Sequence, residues 1–355
     1  MHSLLILLIL IVGLIIQFLS PTSKVNKRIS IWAGINLLIY AGFRATSVGT
    51  DLSSYTSSYL MLPNMSFSSL FTSTWLIVSR DPIFYSFLKI LTYISEEPQF
   101  MIFITSAVVV LSFSIFIYKN SLNPLMSFIM FIGLRYYSFT LTGLRQAIAW
   151  SIILISYQFI KEKKLIKFSL IVIVASMFHS SAILFILAYP LANIRKIEKM
   201  TLIIFLGFMF NLISNHLILR LLVKLPVLQQ YDTYIFNEEY GTTGTTTLLI
   251  YLSILILFFV LKNKILSKDK HMYLAYNLSV VGVAITALSF SFANIFRIGY
   301  YFVFPIITLL PGAINTSFDK KSQLIINAIV ITFLVLQFII IGPGAGTDNY
   351  QFFWN

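Results

Sequence analysis

Cysteine is absent from the 355 residues, which excludes disulfides and thiolate metal sites while leaving the redox compartment open. Charge is scarce as well. Asp, Glu, Lys and Arg make up 10% of the chain, against 58% hydrophobic residues and a mean hydropathy of +0.89. That balance excludes a soluble fold and leaves an all-α, polytopic integral membrane protein. No polar block is long enough for a separate soluble unit, so residues 1–355 read as a single transmembrane domain. The usual catalytic signatures are missing too: there is no HExxH, no GxSxG, no Walker loop and no dinucleotide fingerprint. Nothing in the sequence calls for a cofactor.

What is present is a succession of apolar runs, each closed by Lys, Pro, Gly or a polar cluster. Spans are expected at about 3–20, 29–43, 99–118, 122–139, 144–160, 200–219, 247–261, 272–290, 298–313 and 322–341. The opening MHSLLILLILIVGLIIQFLS has no basic residue before its core and no small-residue cleavage site after it, and Lys24, Lys27 and Arg28 follow it, as behind a retained first helix. Two regions differ. PIFYSFLKILTYIS, 82–95, is short and amphipathic, and reads as a helix lying on or dipping into the membrane surface within an outer loop 44–98. LIKFSLIVIVASMFHSSAILFILAYPLAN, 165–193, is long for one helix and short for two, with a polar FHSS near its middle. It reads as a broken hairpin of two short helices turning at His179, which brings the expectation to about 12 helices.

With that count the basic loops 24–28, 119–124, 161–167, 195–199, 262–270 and 319–321 share one face, cytoplasmic by the positive-inside rule, and both termini face outward. Fifteen of the 17 lysines obey the rule, whereas six of the eight arginines (Arg44, Arg80, Arg135, Arg145, Arg220 and Arg297) fall at or near the outer side. The net charge of +13 is thereby explained by loop asymmetry, without a nucleic-acid partner. Arginine differs from lysine in its planar fork, which suits phosphate and carboxylate. The outer face therefore reads as an anion site.

Several stretches carry candidate chemistry. FRATSVGTDLSSY places Arg44, Asp51 and Tyr55 on a loop long enough to fold over a cavity, although a lone interfacial arginine also snorkels to lipid phosphates. SRDPIFY places Arg80 and Asp81 before Pro82, where Asp81 either caps a helix or orients an arginine and takes a proton. Arg145 and Gln146 open an otherwise apolar segment in SFTLTGLRQAIAWSI, a position where a guanidinium is usually held by a partner. His179 alone among the histidines lies deep in an apolar run. With no cysteine and no second such histidine near it, a metal site is not expected, and it is either a satisfied structural group or a donor to phosphate or sugar. Arg297 precedes Tyr300 and Tyr301 in FRIGYYF. The outer loop 220–246 is rich in hydroxyls and aromatics, as are many exposed loops.

In order and spacing these pieces, FRATSVGTDLSSY, RDPIFYSFLKIL, GLRQAIAWSI, ASMFHSSAILF and FRIGYYF, resemble the EpsG family, related to the Wzy-type polysaccharide polymerases. The likeness spans roughly residues 40–305, and Asp81 stands where the family more often has Glu. The resemblance implies a GT-C-like, metal-independent glycosyltransferase of the bacterial cytoplasmic membrane. It would polymerise exopolysaccharide, capsule or O-antigen repeats on the outer side, from an undecaprenyl-pyrophosphate-linked oligosaccharide, with a chain-length regulator as a further partner. Arg44, Tyr55, Arg80, Arg145, Gln146, Arg297 and Tyr300 would then bind pyrophosphate or sugar, and Asp51, Asp81 or His179 would take the acceptor proton. Two rivals remain: a polytopic acyltransferase using His179 as base, and a non-enzymatic flippase of lipid-linked glycans.

Overall fold

The computed structural model describes residues 2–72, 81–213, 217, 221, 224, 244–290 and 294–354. Arg80, Arg220 and nearly all of the loop 220–246 therefore lie outside the described residues. In chain order the first helices are α1 His2–Leu19, α2 Thr22–Gly42, α3 Leu52–Met61, α4 Phe67–Thr72, α5 Pro82–Thr92, α6 Pro98–Asn120, α7 Pro124–Gly133, α8 Tyr136–Thr142, α9 Leu144–Lys161 and α10 Leu165–Phe178. Then come α11 Ala188–Ala192, α12 Ile197–Ile213, α13 Thr245–Lys268, α14 Met272–Ala287, α15 Phe296–Val303, α16 Ile306–Ser317 and α17 Lys320–Ile341. The residues group into two compact units. One comprises Met1–Ile155, Val174–Ser180 and Asp319–Asn355; the other comprises Ser156–Ile173 and Ser181–Phe318.

Helix starts follow local chemistry. Proline occupies the first turn of α5, α6 and α7, where its missing N–H costs nothing. Asn123 caps α7 by accepting from the Met126 N–H, and Asp319 caps α17 by accepting from the Lys321 and Ser322 N–H groups. Among the described residues, five helices are long and apolar enough to cross a membrane: α1, α6, α13, the run Phe296–Ser317 and α17. A sixth is added if α7 and α8, bent by 56°, count as one span. Among the described residues the expected number of about 12 is thus not reached on length and composition. Shorter apolar pieces, Pro82–Thr92, Leu165–Phe178, Ser180–Ala192 and Met272–Ala287, account for part of the difference.

The bend corrects the straight span expected at 122–139. Its cause is Arg135, which sits between α7 and α8 with φ 65°, a left-handed conformation that no helix interior tolerates. Its Nη2 donates to the Ile341 carbonyl at the end of α17, 3.2 Å away. In this first unit the chain ends also meet. The His2 ring nitrogen Nε2 lies 2.7 Å from the Thr347 carbonyl, and the Tyr40 and Tyr350 rings stack at 3.9 Å. Gln99, at the start of α6, donates to the Gly42 carbonyl at the end of α2. Both termini consequently share one end of the unit with the 42–51 loop.

In the second unit the basic loops converge. Lys262 pairs with Glu198 at 2.5 Å, Lys268 donates to the Thr316 carbonyl at 2.7 Å, and Lys161 lies close enough to Asp269 for their charges to interact. The loops 161–167, 195–199 and 262–270 thus lie at one end, as the lysine pattern predicts. Within this unit Phe168 touches Tyr189 at 5.3 Å and Phe185 at 6.0 Å between ring centroids. A continuous helix would separate Phe168 and Tyr189 by about 30 Å. The segment therefore doubles back, with α10 ending at Phe178 and a 3₁₀ stretch, Ser180–Leu187, beginning the return. In this cysteine-free chain, Phe168→Cys with Tyr189→Cys should be joined within one molecule by a short bifunctional maleimide, read by peptide mass spectrometry. Joining only at arm lengths near 30 Å would restore the single helix.

Candidate active site

The site grows from the start of α5. Asp81 holds the capping position, but its side chain makes no capping bond; the first turn is closed by its backbone carbonyl, which accepts from the Phe84 and Tyr85 N–H groups at 3.1 and 3.4 Å. The carboxylate is turned elsewhere, and it is buried to 3% exposure. Arg145, one residue into α9, donates from Nη1 to Oδ2 at 2.9 Å. His179 Nδ1 stands 3.3 Å from the same oxygen, and the Ser180 N–H donates to Oδ1 at 3.2 Å. The break after Phe178 is what supplies that N–H, since a continuing helix would have spent it on the preceding turn.

Tyr55 from α3 completes the group. The Arg145 guanidinium lies 5.9 Å from the centre of its ring, and Nε donates to its hydroxyl at 3.3 Å. Phe84 packs edge-on against Tyr55, and Phe87 meets Phe178, so α5 carries the apolar contacts that bring α3 and the end of α10 to the carboxylate. Arg145 and His179 keep 21% and 14% side-chain exposure, which leaves both reachable from outside while Asp81 is not. Burial by itself would raise the Asp81 carboxyl, but His179, Arg145 and the Ser180 N–H together hold it below the ordinary carboxylate range. Its stabilising effect is therefore present above the ordinary carboxylate pKa and fades as pH falls through the lowered value.

The other expected residues are placed differently. Arg44 is fully buried: it donates to the Ala41 carbonyl, to Ser106 Oγ at 2.8 Å and to the Leu141 carbonyl at 2.9 Å. A guanidinium with no exposed surface cannot meet a pyrophosphate, so the substrate role expected for Arg44 is replaced by one of holding the 42–51 loop. Asp51 is half-buried at the start of α3, where its N–H donates to Thr142 Oγ1 and its carboxylate makes no capping bond. It is not among the groups gathered at Asp81. Gln146 is turned into the interior of the first unit at 3% exposure. Arg297, half-buried, and Tyr300, buried, belong to the second unit, where Tyr300 packs against Phe296.

Sequence reading misses the C-terminal residues altogether. Ala45 and Phe353 exchange backbone bonds with Gln351 and Phe43, and Gly49 and Thr50 donate to the Gly346 and Ala345 carbonyls. Gly49 has φ 112°, and a Cβ there would lie 2.9 Å from the Leu141 carbonyl oxygen, so this crossing needs glycine. The only signal is the run of aromatics in NYQFFWN after a glycine-rich turn.

These features define a multi-pass helical membrane protein with a buried carboxylate that joins a guanidinium to an imidazole. The family model of EpsG matches residues 27–354, and the chain belongs to the EpsG family, a family of Wzy-like polysaccharide polymerases acting in exopolysaccharide synthesis. No curated protein and no solved structure matches it.

Two substitutions separate the roles of the buried charges. Asp81→Asn leaves Arg145 without its counter-ion and should cost about 3 kcal/mol, as breaking a buried pair does. Arg44→Met strands buried carbonyls and should cost a similar amount, on the order of 2–4 kcal/mol. Thermal unfolding in detergent reads both. Glycan synthesis per folded molecule should survive Arg44→Met and fall in Asp81→Asn; equal losses would return Arg44 to the site.

Proposed function

We propose that this protein polymerises a cell-surface polysaccharide, moving a growing glycan from undecaprenyl pyrophosphate onto a lipid-linked acceptor sugar at the outer face of the bacterial cytoplasmic membrane, on an all-helical scaffold of the GT-C kind. The observation that carries this reading is the Arg145–Asp81–His179 cluster: one reachable cation and one reachable base, each fixed by the same buried carboxylate.

Among the candidate bases the geometry favours His179. Asp81 is buried, doubly paired and held in its ionised form, which makes it a poor proton acceptor and a good orienting group. With Nδ1–H donated to Asp81, the lone pair of His179 sits on Nε2, the arrangement a general base requires. In the reaction the acceptor hydroxyl oxygen bonds to the anomeric carbon of the donor glycan, and its proton passes to Nε2. The bond from that carbon to the pyrophosphate oxygen breaks, and the lipid pyrophosphate leaves with the electron pair. Arg145 faces the leaving group, whose charge grows as the bond lengthens. Tyr55 steadies the guanidinium by accepting from its Nε.

Arg145→Lys keeps the charge and loses the planar fork. Lysine at this position should lower polymerisation on purified lipid-linked repeats by about a hundred-fold or more, comparable with deleting one donor from an oxyanion site. Full-length glycan made at the normal rate, with protein levels matched, would leave Arg145 as a membrane anchor and remove it from the site.

A further inference from the structure

A cleft of about 290 Å³ runs between α2 and α6, walled by Ile31, Ile35, Leu38, Leu111 and Ile115 with Lys27 and Tyr118 at its mouth. Its walls open sideways: Ile31 and Leu111 are 52% and 54% exposed. Two hydroxyls interrupt this apolar lining. Ser30 and Ser114 are buried, and neither oxygen has a hydrogen-bond partner. Thr105, elsewhere on α6, and Ser151, on α9, instead bond the preceding turn, to Met101 and to Ala147. Gly34 admits Ser114 between the helices, since a Cβ at Gly34 would lie 2.8 Å from its oxygen. Buried hydroxyls with no partner call for an acceptor that the chain itself does not supply.

We infer that this cleft holds one anionic glycerophospholipid, with its phosphate at Lys27, its ester carbonyls accepting from Ser30 and Ser114, and an acyl chain along the isoleucine and leucine wall. The order of groups along α2 is the order of groups along such a lipid. Lys27 is exposed at the mouth, Ser30 lies one turn further in, and Ser114 comes next opposite Gly34. Lys24 and Arg28 flank Lys27 and favour an anionic headgroup. A lipid that merely surrounds the helices would need Lys27 but not the two serines.

The test measures phospholipid retained per chain, by native mass spectrometry and phosphorus assay, after delipidation and incubation with phosphatidylglycerol. The wild-type chain should keep one molecule, and phosphatidylcholine should compete poorly. Lys27→Glu, and separately Ser30→Ala combined with Ser114→Ala, should each lower retention about tenfold or more, as expected for losing one or two hydrogen bonds to a charged or carbonyl group. Lys320→Glu, which adds the same charge change on another helix, should leave it unchanged. Removing partnerless hydroxyls should not unfold the protein, and gel filtration checks this. Unchanged retention in the double serine variant overturns the inference even if Lys27→Glu lowers it, because headgroup attraction alone would then suffice. Unchanged retention in Lys27→Glu, or equal retention of phosphatidylcholine, overturns it as well.

Discussion

A carboxylate buried to 3% exposure is the constraint on which the first unit is organised. Left unpaired, such a charge costs several kcal/mol, so the fold must bring donors to it. They come from two places distant in sequence: Arg145 from the first turn of α9, and His179 with the Ser180 N–H from the break that follows α10. Each donor explains a local feature that would otherwise be a defect. A guanidinium opens an apolar helix because a carboxylate waits for it, and a helix stops at Phe178 because its continuation would bury the N–H that Asp81 accepts. The polar FHSS is where the hairpin turns and also where the site is made.

Much of the scaffold was legible. Apolar runs placed most helix starts and stops within a few residues, since hydropathy over a membrane-spanning run is a strong signal. The lysine pattern grouped the basic loops that meet in the second unit, and the polar break in an apolar run announced the hairpin. What the sequence left undecided was which arginine does what. Arg44 and Arg145 look alike, each at the outer end of an apolar run. They differ only in what the fold presents to them. Arg44 meets Ser106 and the Leu141 carbonyl, 62 and 97 residues away, and is consumed by neutral acceptors. Arg145 meets a carboxylate and keeps part of its surface.

The bend at Arg135 and the C-terminal clasp were hidden for a related reason. A left-handed arginine has no compositional mark, and the clasp is built chiefly from backbone groups of residues 345–353 pairing with 43–50. Backbone pairing leaves no side-chain pattern to read; only the aromatic stacking of Tyr350 on Tyr40 does, and tyrosines at a membrane boundary have a simpler explanation. The clasp matters because it fixes the loop from which α3 and Tyr55 start. Thr142 bonds both Thr50 and Asp51, so the loop is tied to the residue that precedes Gly143 and α9. Tyr55 and Arg145 are thereby positioned from one anchor.

Charge balance gives the arrangement its sense in the proposed reaction. The proposed reaction requires His179 to enter uncharged, so that Arg145 and Asp81 cancel and the cluster carries no net charge before transfer. When the acceptor proton reaches His179, the cluster becomes a net cation, and Asp81 stabilises the imidazolium it already holds. That positive charge appears in the same step in which the pyrophosphate acquires its negative charge. A fixed surplus cation would attract the lipid pyrophosphate equally in its bound and departing states, which tightens binding without speeding the step. A cation created by the proton transfer itself favours the transition state, and in the proposed reaction a buried carboxylate shared between arginine and histidine would be the means of creating it.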